Sequence, residues 1–208
     1  MLKRSILLTA AVCCLCMISC DDEKESVETM ISGFMTAHTD SEGYISVMND
    51  DFGVQYKVYE KSEKLKPDTL YRLVASIAVD ESRNAKIVQM AATVSYVAPE
   101  DSIIPDSLRF KDPFEIESRY IGGGYLNFFL AIKVKNEESR HALFYTHSDS
   151  LGKHKFTFYH NAYGDEQVYT KHAYVSIPLY VYNLAKNDTV LVSAKGYKED
   201  YDIELIYK

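Results

Sequence analysis

From residue 30 to the C-terminus, apolar and polar residues alternate in short runs and almost nowhere follow a helical repeat, so an all-β fold is the expectation. The runs 30–37, 44–49, 53–60, 70–80 and 84–98 are separated by turn chemistry at Asp40-Ser41-Glu42-Gly43, Asn49-Asp50-Asp51, Lys66-Pro67-Asp68 and residues 80–84. Five strands in about seventy residues suit a small closed barrel over 30–98. Within the last run, Val88, Met90, Ala92, Val94 and Tyr96 share one face while Gln89, Thr93 and Ser95 share the other. A helix over 82–92 is the competing local reading. Three prolines and several charges then interrupt the pattern at 99–113, the expected linker between two domains. Strands resume at 114–120, 125–135, 140–148, 154–160, 168–170, 172–182, 189–195 and 203–207, the number and spacing of a β-sandwich over 114–208. Leu126, Phe128, Leu130, Ile132 and Val134 form the clearest inward-facing set. Pro178 points to a sheet edge or a bulge, because proline cannot donate to a ladder.

The first nineteen residues have the three-part plan of an export signal: basic Lys3 and Arg4, an apolar stretch over 6–18, and small Ser19 at the cut. The stretch is too short to cross a bilayer. Met17-Ile18-Ser19-Cys20 resembles a bacterial lipobox, with Met17 where leucine is usual. That resemblance implies cleavage between Ser19 and Cys20 and acylation of Cys20. Asp21-Asp22-Glu23-Lys24-Glu25 follows at once and resembles the surface-export tag of Bacteroidota lipoproteins. It implies the outer membrane, facing outward, with residues 20–29 as an acidic tether.

Cys13, Cys14 and Cys16 leave with the signal and the Cys20 sulfur is taken by lipid, so the mature chain holds no disulfide and must fold by burial alone. Loss of Lys3 and Arg4 moves the formal charge from −7 to about −9. An acidic body is repelled by nucleic acid and by anionic lipid, which argues against a nucleic-acid partner and assigns membrane attachment to the acyl chains.

The segments Asp112-Pro113, Ile121-Gly122-Gly123-Gly124-Tyr125-Leu126-Asn127, His160-Asn161-Ala162-Tyr163-Gly164-Asp165 and Ser176-Ile177-Pro178-Leu179 resemble the NigD-like lipoproteins of Bacteroidota. The resemblance covers essentially the whole mature chain, and Gly-Gly-Gly-Tyr-Leu-Asn is its most specific piece. Tyr120 stands where the family usually carries tryptophan. The resemblance implies an OB-like five-stranded barrel followed by a C-terminal β-sandwich. It brings a gene context of bacteriocin production, but no family catalytic residues.

The glycine run lacks the Gly-Lys-Ser/Thr ending and following helix of a phosphate loop, so a tight strand connection or bulge is the better reading. His141, His147, His154, His160 and His172 lie in the second domain. Their spacings of six and seven, with aromatic residues between, are not those of zinc ligands, and neither a metal nor a cofactor is expected. His147-Ser148-Asp149-Ser150 contains triad residue types, but neighbours on a strand end point to opposite faces. A glycosidase carboxylate pair is defined by spatial separation and stays open.

Five tripeptides, Asp68-Thr69-Leu70, Asp101-Ser102-Ile103, Asp106-Ser107-Leu108, Asp149-Ser150-Leu151 and Asp188-Thr189-Val190, resemble the O-glycosylation acceptors of Bacteroidota. The resemblance implies sugar on Thr69, Ser102, Ser107, Ser150 or Thr189; Asp followed by Ser or Thr is also ordinary turn chemistry. The function expected is a non-catalytic, lipid-anchored envelope module that binds a protein or glycan, with a glycan hydrolase or a bacteriocin self-protection protein as alternatives. Seventeen tyrosines could supply stacking faces for a glycan, while the absence of Trp argues against a strong sugar platform.

Overall fold

The structure, a computed structural model, describes residues 28–151 and 153–208. Ser19 and Cys20 lie outside the described residues. The first unit is a closed barrel of β1 (Thr29–Thr39), β2 (Ile45–Asp50), β3 (Gln55–Val58), β4 (Leu70–Val79) and β5 (Asn84–Ala92), in the order β1-β2-β3-β5-β4 with β4 closing on β1. This order is that of the OB barrel. One aspartate device builds three of its connections. The Oδ1 atoms of Asp40, Asp50 and Asp80 each accept two backbone N–H groups, from Glu42 and Tyr44, from Phe52 and Val54, and from Ser82 and Asn84. The interior is filled by Met35, Ile45, Met48, Tyr56, Leu73, Ile77 and Val79. Residues 84–92 are a strand, paired to β4 on one side and β3 on the other, because Ala85 enters the barrel core and Ile87 packs against it with the period of a strand.

The second unit is a sandwich. One sheet has the order β10-β7-β6, built from β6 (Glu115–Gly122), β7 (Tyr125–Val134) and β10 (Tyr169–Pro178). The other has the order β12-β11-β9-β8, built from β8 (Ala142–Ser150), β9 (Lys153–Asn161), β11 (Thr189–Ala194) and β12 (Tyr201–Ile206). Leu126, Phe128, Leu130, Ile132 and Val134 all lie in the core between the sheets, against Tyr145, Phe156, Phe158 and Val192. The runs 168–170 and 172–182 form a single strand, β10. It ends at Pro178, opposite Tyr125, and a 3₁₀ turn at Leu179–Val181 follows. A strand with Pro178 at its last position on a sheet edge loses no ladder bond to the proline.

The chain leaves β5 at Ala92 rather than continuing as a strand to 98, and 93–113 is packed along the sandwich. Val94 pairs with the β10 edge, donating to the Tyr174 carbonyl and accepting from the Ser176 N–H. Tyr96 and Tyr145 exchange four hydrogen bonds between their hydroxyls and each other's backbones, with rings stacked 4.3 Å apart. His147 N–H then donates to Pro99, and the strap is held on the outer face of β8 and β9 by Arg109. That guanidinium binds the Asp101 carboxylate at 2.8 Å and the Tyr159 hydroxyl at 2.5 Å. Proline and charge mark this segment as irregular, yet its backbone groups find partners on both sheets.

Candidate functional site

The barrel sits on the outer face of the β10-β7-β6 sheet through a buried polar clasp. Arg72 on β4 and Asp51, just after β2, form an ion pair of 2.6 Å with both side chains only 3% exposed. Every nitrogen of the guanidinium is used. Nε donates to Ser176 Oγ at 2.8 Å, Nη1 to Thr36 Oγ1 at 3.2 Å, and Nη2 to Asp51 Oδ2 at 2.8 Å and Asn127 Oδ1 at 2.9 Å. Asp51 Oδ2 also accepts from the Tyr120 hydroxyl and from Asn127 Nδ2. Its Oδ1 has the close ionic contact with Arg72 but no aligned hydrogen bond. The Tyr125 ring lies 4.2 Å from the guanidinium carbon, a cation–π contact; burial first, then the Tyr180 hydroxyl, push its own hydroxyl up to about 12. Burial and then the bond to Asp51 likewise raise Tyr120.

This clasp explains the glycine run. Gly123 and Gly124 have φ of +60° and +83° and form a two-residue connection between β6 and β7, the geometry of a type I′ hairpin. The Gly123 N–H donates to the Asp51 carbonyl at 3.2 Å, and a Cβ on Gly123 would collide with the Asp51 carboxylate. A Cβ on Gly122 would lie 2.9 Å from the Tyr120 ring. The most specific sequence motif is therefore a docking turn, and Asn127 at its end belongs to the same network.

A second feature is the seam between the edge strands β10 and β8. Residues 94–100 close one half of it. The other half is an open cleft of about 310 Å³ with Val94, Ile132, Val134, Leu143 and Ala173 as its floor and Ser139, Arg140, His141, Lys171 and His172 at its rim. Through Val134 and Lys171 it runs into a wider depression of about 700 Å³ bordered by Asn136, Glu137, Tyr169 and Thr170. Together these place the whole stretch 169–173 of β10 along one trough.

Four of the second unit's five histidines form two pairs, and His172 stands apart, stacked on Phe129 with its Nε2 3.5 Å from Glu117. His141 Nδ1 lies 3.0 Å from His160 Nε2, and His141 Nε2 lies 3.0 Å from Asp165. His160 Nδ1 faces the Asp112 carbonyl at 3.1 Å. A carbonyl only accepts, so His160 donates through Nδ1 and receives at Nε2 from His141 Nδ1. His147 and His154 stack with 3.2 Å between Nε2 and Nδ1. Burial pushes both His160 and His147 below the ordinary histidine value, aided in each case by the partner imidazole. Among the described residues no group of three or more His, Cys, Asp or Glu is placed to hold a metal ion.

The five Asp-Ser/Thr sites are not brought together. Ser102 and Ser107 lie on two 3₁₀ turns of the strap and Ser150 ends β8, all three exposed; Thr69 and Thr189 are half-buried at strand starts. Ser148, Asp149 and Ser150 form no triad with His147, whose ring packs on His154, Phe156 and Tyr182.

Residues 97–207 match the model of the NigD-like C-terminal β-sandwich domain. The chain belongs to the NigD-like family. Among solved structures, a NigD-like immunity protein from Bacteroides caccae is 26% identical, with a TM-score of 0.69 over 84% of this chain and 91% of that one. A protein described as toxin-related from Parabacteroides distasonis is 18% identical, with a TM-score of 0.67 over 86% and 94%. A Bacteroides vulgatus protein of unknown function is 15% identical, with a TM-score of 0.66 over 86% and 92%. No curated protein matches the chain. The last two likenesses concern the fold alone. The NigD-like barrel and sandwich described above therefore recur together across nearly the whole length of each relative.

Proposed function

We propose that this NigD-like protein is a lipid-anchored, non-catalytic interaction module of the cell envelope, tethered through Cys20 with residues 20–29 as spacer. The observation that carries the reading is the trough along β10. Its narrower part has an apolar floor and a basic rim with no carboxylate, and Glu137 is the one carboxylate bordering the rest, whereas glycoside hydrolysis needs two flanking the scissile bond. An apolar floor with a few charged groups around it suits recognition. Val94 of the strap, bonded to β10, forms part of the floor. Exposure of Ser102, Ser107 and Ser150 suits these residues to carry O-linked sugar.

Surface labelling of intact cells followed by pull-down of the native lipoprotein tests both exposure and partner. A labelled protein that brings down a defined envelope component supports the module; an unlabelled one that brings down nothing contradicts it. Self-protection against a bacteriocin is a second reading, supported by the immunity description of the Bacteroides caccae relative. Deletion of the gene should then raise sensitivity to a toxin encoded nearby, and unchanged sensitivity would count against it.

A further inference from the structure

We propose that the open half of the seam binds an extended acidic peptide segment, which adds to the free edge of β10 as an extra strand. The proposal rests on the interaction reading above and names its site and the chemistry of its partner. Alternation along β10 identifies the groups that face outward. Tyr174 C=O and Ser176 N–H point to the free edge, since both bond Val94, so the backbone groups of Thr170 and His172, at the same parity, point there too. Among the described residues β10 has β7 as its only strand neighbour, and the pairing with Val94 stops before Ala173. The protein's own chain thus already covers half of this edge in extended form and leaves the next turn of the ladder bare.

Across the trough, β8 is also an edge strand. His147 N–H bonds Pro99 and Tyr145 N–H bonds the Tyr96 hydroxyl, so Leu143, next at that parity, presents its backbone outward above its apolar side chain. A guest strand along 169–173 would span about 16 Å at 3.3 Å per residue, a segment of five residues. Its side chains on one face would meet Val94, Leu143 and Ala173, and also Lys171, which lies two residues before Ala173 and shares its face of β10. A carboxylate at the guest's central position, on that same face, would meet Lys171 and the neighbouring Arg140, two cations in a chain whose formal charge is −7, with Glu137 the one carboxylate bordering the trough. The opposite face carries His172, 3.5 Å from Glu117, and suits a neutral side chain. Backbone pairing supplies affinity and the alternate side chains supply selection, as in other strand-addition complexes.

The probe is the blocked pentapeptide Val-Thr-Glu-Thr-Val, which puts both valines and the glutamate on one face, titrated into the ¹⁵N-labelled full-length protein while backbone amide shifts are followed. Saturable shifts at Thr170, His172 and Leu143 are expected. The same peptide N-methylated at alternate residues should bind at least about tenfold more weakly, because its donors are gone. Val-Thr-Lys-Thr-Val should be about tenfold weaker on the native protein and regain that loss on Arg140→Glu, a change at an exposed position; Arg140→Lys should behave as native. Shifts confined to another surface would overturn the groove while leaving an interaction role intact. No shift at millimolar peptide, equal binding of the N-methylated peptide, or self-association through β10 seen by sedimentation would each overturn it as well.

Discussion

Asp51 and Arg72, both on the barrel, meet at 2.6 Å beneath the glycine hairpin of the sandwich, and each is bonded to Asn127 on the other unit. An ion pair so buried contributes chiefly by not being broken, since removal of one partner strands the other without water. Asp51→Ala should therefore cost about 3–5 kcal/mol in chemical denaturation. The double variant Asp51→Ala/Arg72→Met should recover a large part of that loss. Equal stability of the single and double variants would mean that the pair does not act as a unit.

Gly123→Ala and Gly124→Ala separate docking from backbone preference. Both residues have positive φ, which costs an L-residue about 1–3 kcal/mol. Only at position 123 does the new methyl also strike the Asp51 carboxylate; at 124 its nearest neighbour is Tyr180 at 3.6 Å. Thermal melts should rank Gly123→Ala well below Gly124→Ala. Equal melting temperatures would remove the hairpin from the barrel contact.

The overall plan was legible because burial follows simple periods. Leu126 to Val134 alternate into the core as the pattern predicts, and Asp40, Asp50 and Asp80 announce the turns they build. The clasp was not legible. Asp51 reads as one more turn aspartate and Arg72 as a solvated cation on a strand, and their burial depends on Asn127, which is 76 and 55 residues away from them. The strap over 93–113 was hidden for a related reason. Prolines and charges look like a free connector, while Arg109 and Tyr96 find their partners only once β8 and β9 have formed. Histidine pairing across β8 and β9 likewise joins residues seven and nineteen apart, a distance that only the strand register makes short.

Acid should weaken the fold through His147 and His160. Both have folded values depressed below the ordinary 6.5 by burial, so the unfolded chain takes up protons first. The stability they confer is present above about pH 6.5 and is lost as pH falls below it toward the folded values. Urea midpoints measured from pH 7.5 to 5 should decline, and His160→Gln should flatten part of the decline. A midpoint that rises over this range would contradict the neutral, buried state of these rings.

Sugar on the exposed acceptors should appear as added mass on protein purified from its native host. Replacement of Ser102, Ser107 and Ser150 by alanine should remove most of it, leaving Thr69 and Thr189 as minor sites. An intact mass with no addition would dismiss the modification.

The anchor proposed at Cys20 would set where every other contact takes place, and detergent phase partition measures it directly. Native protein should enter the detergent phase, and Cys20→Ser should move to the aqueous phase with its fold intact. Native protein recovered from the aqueous phase would contradict the tethered module.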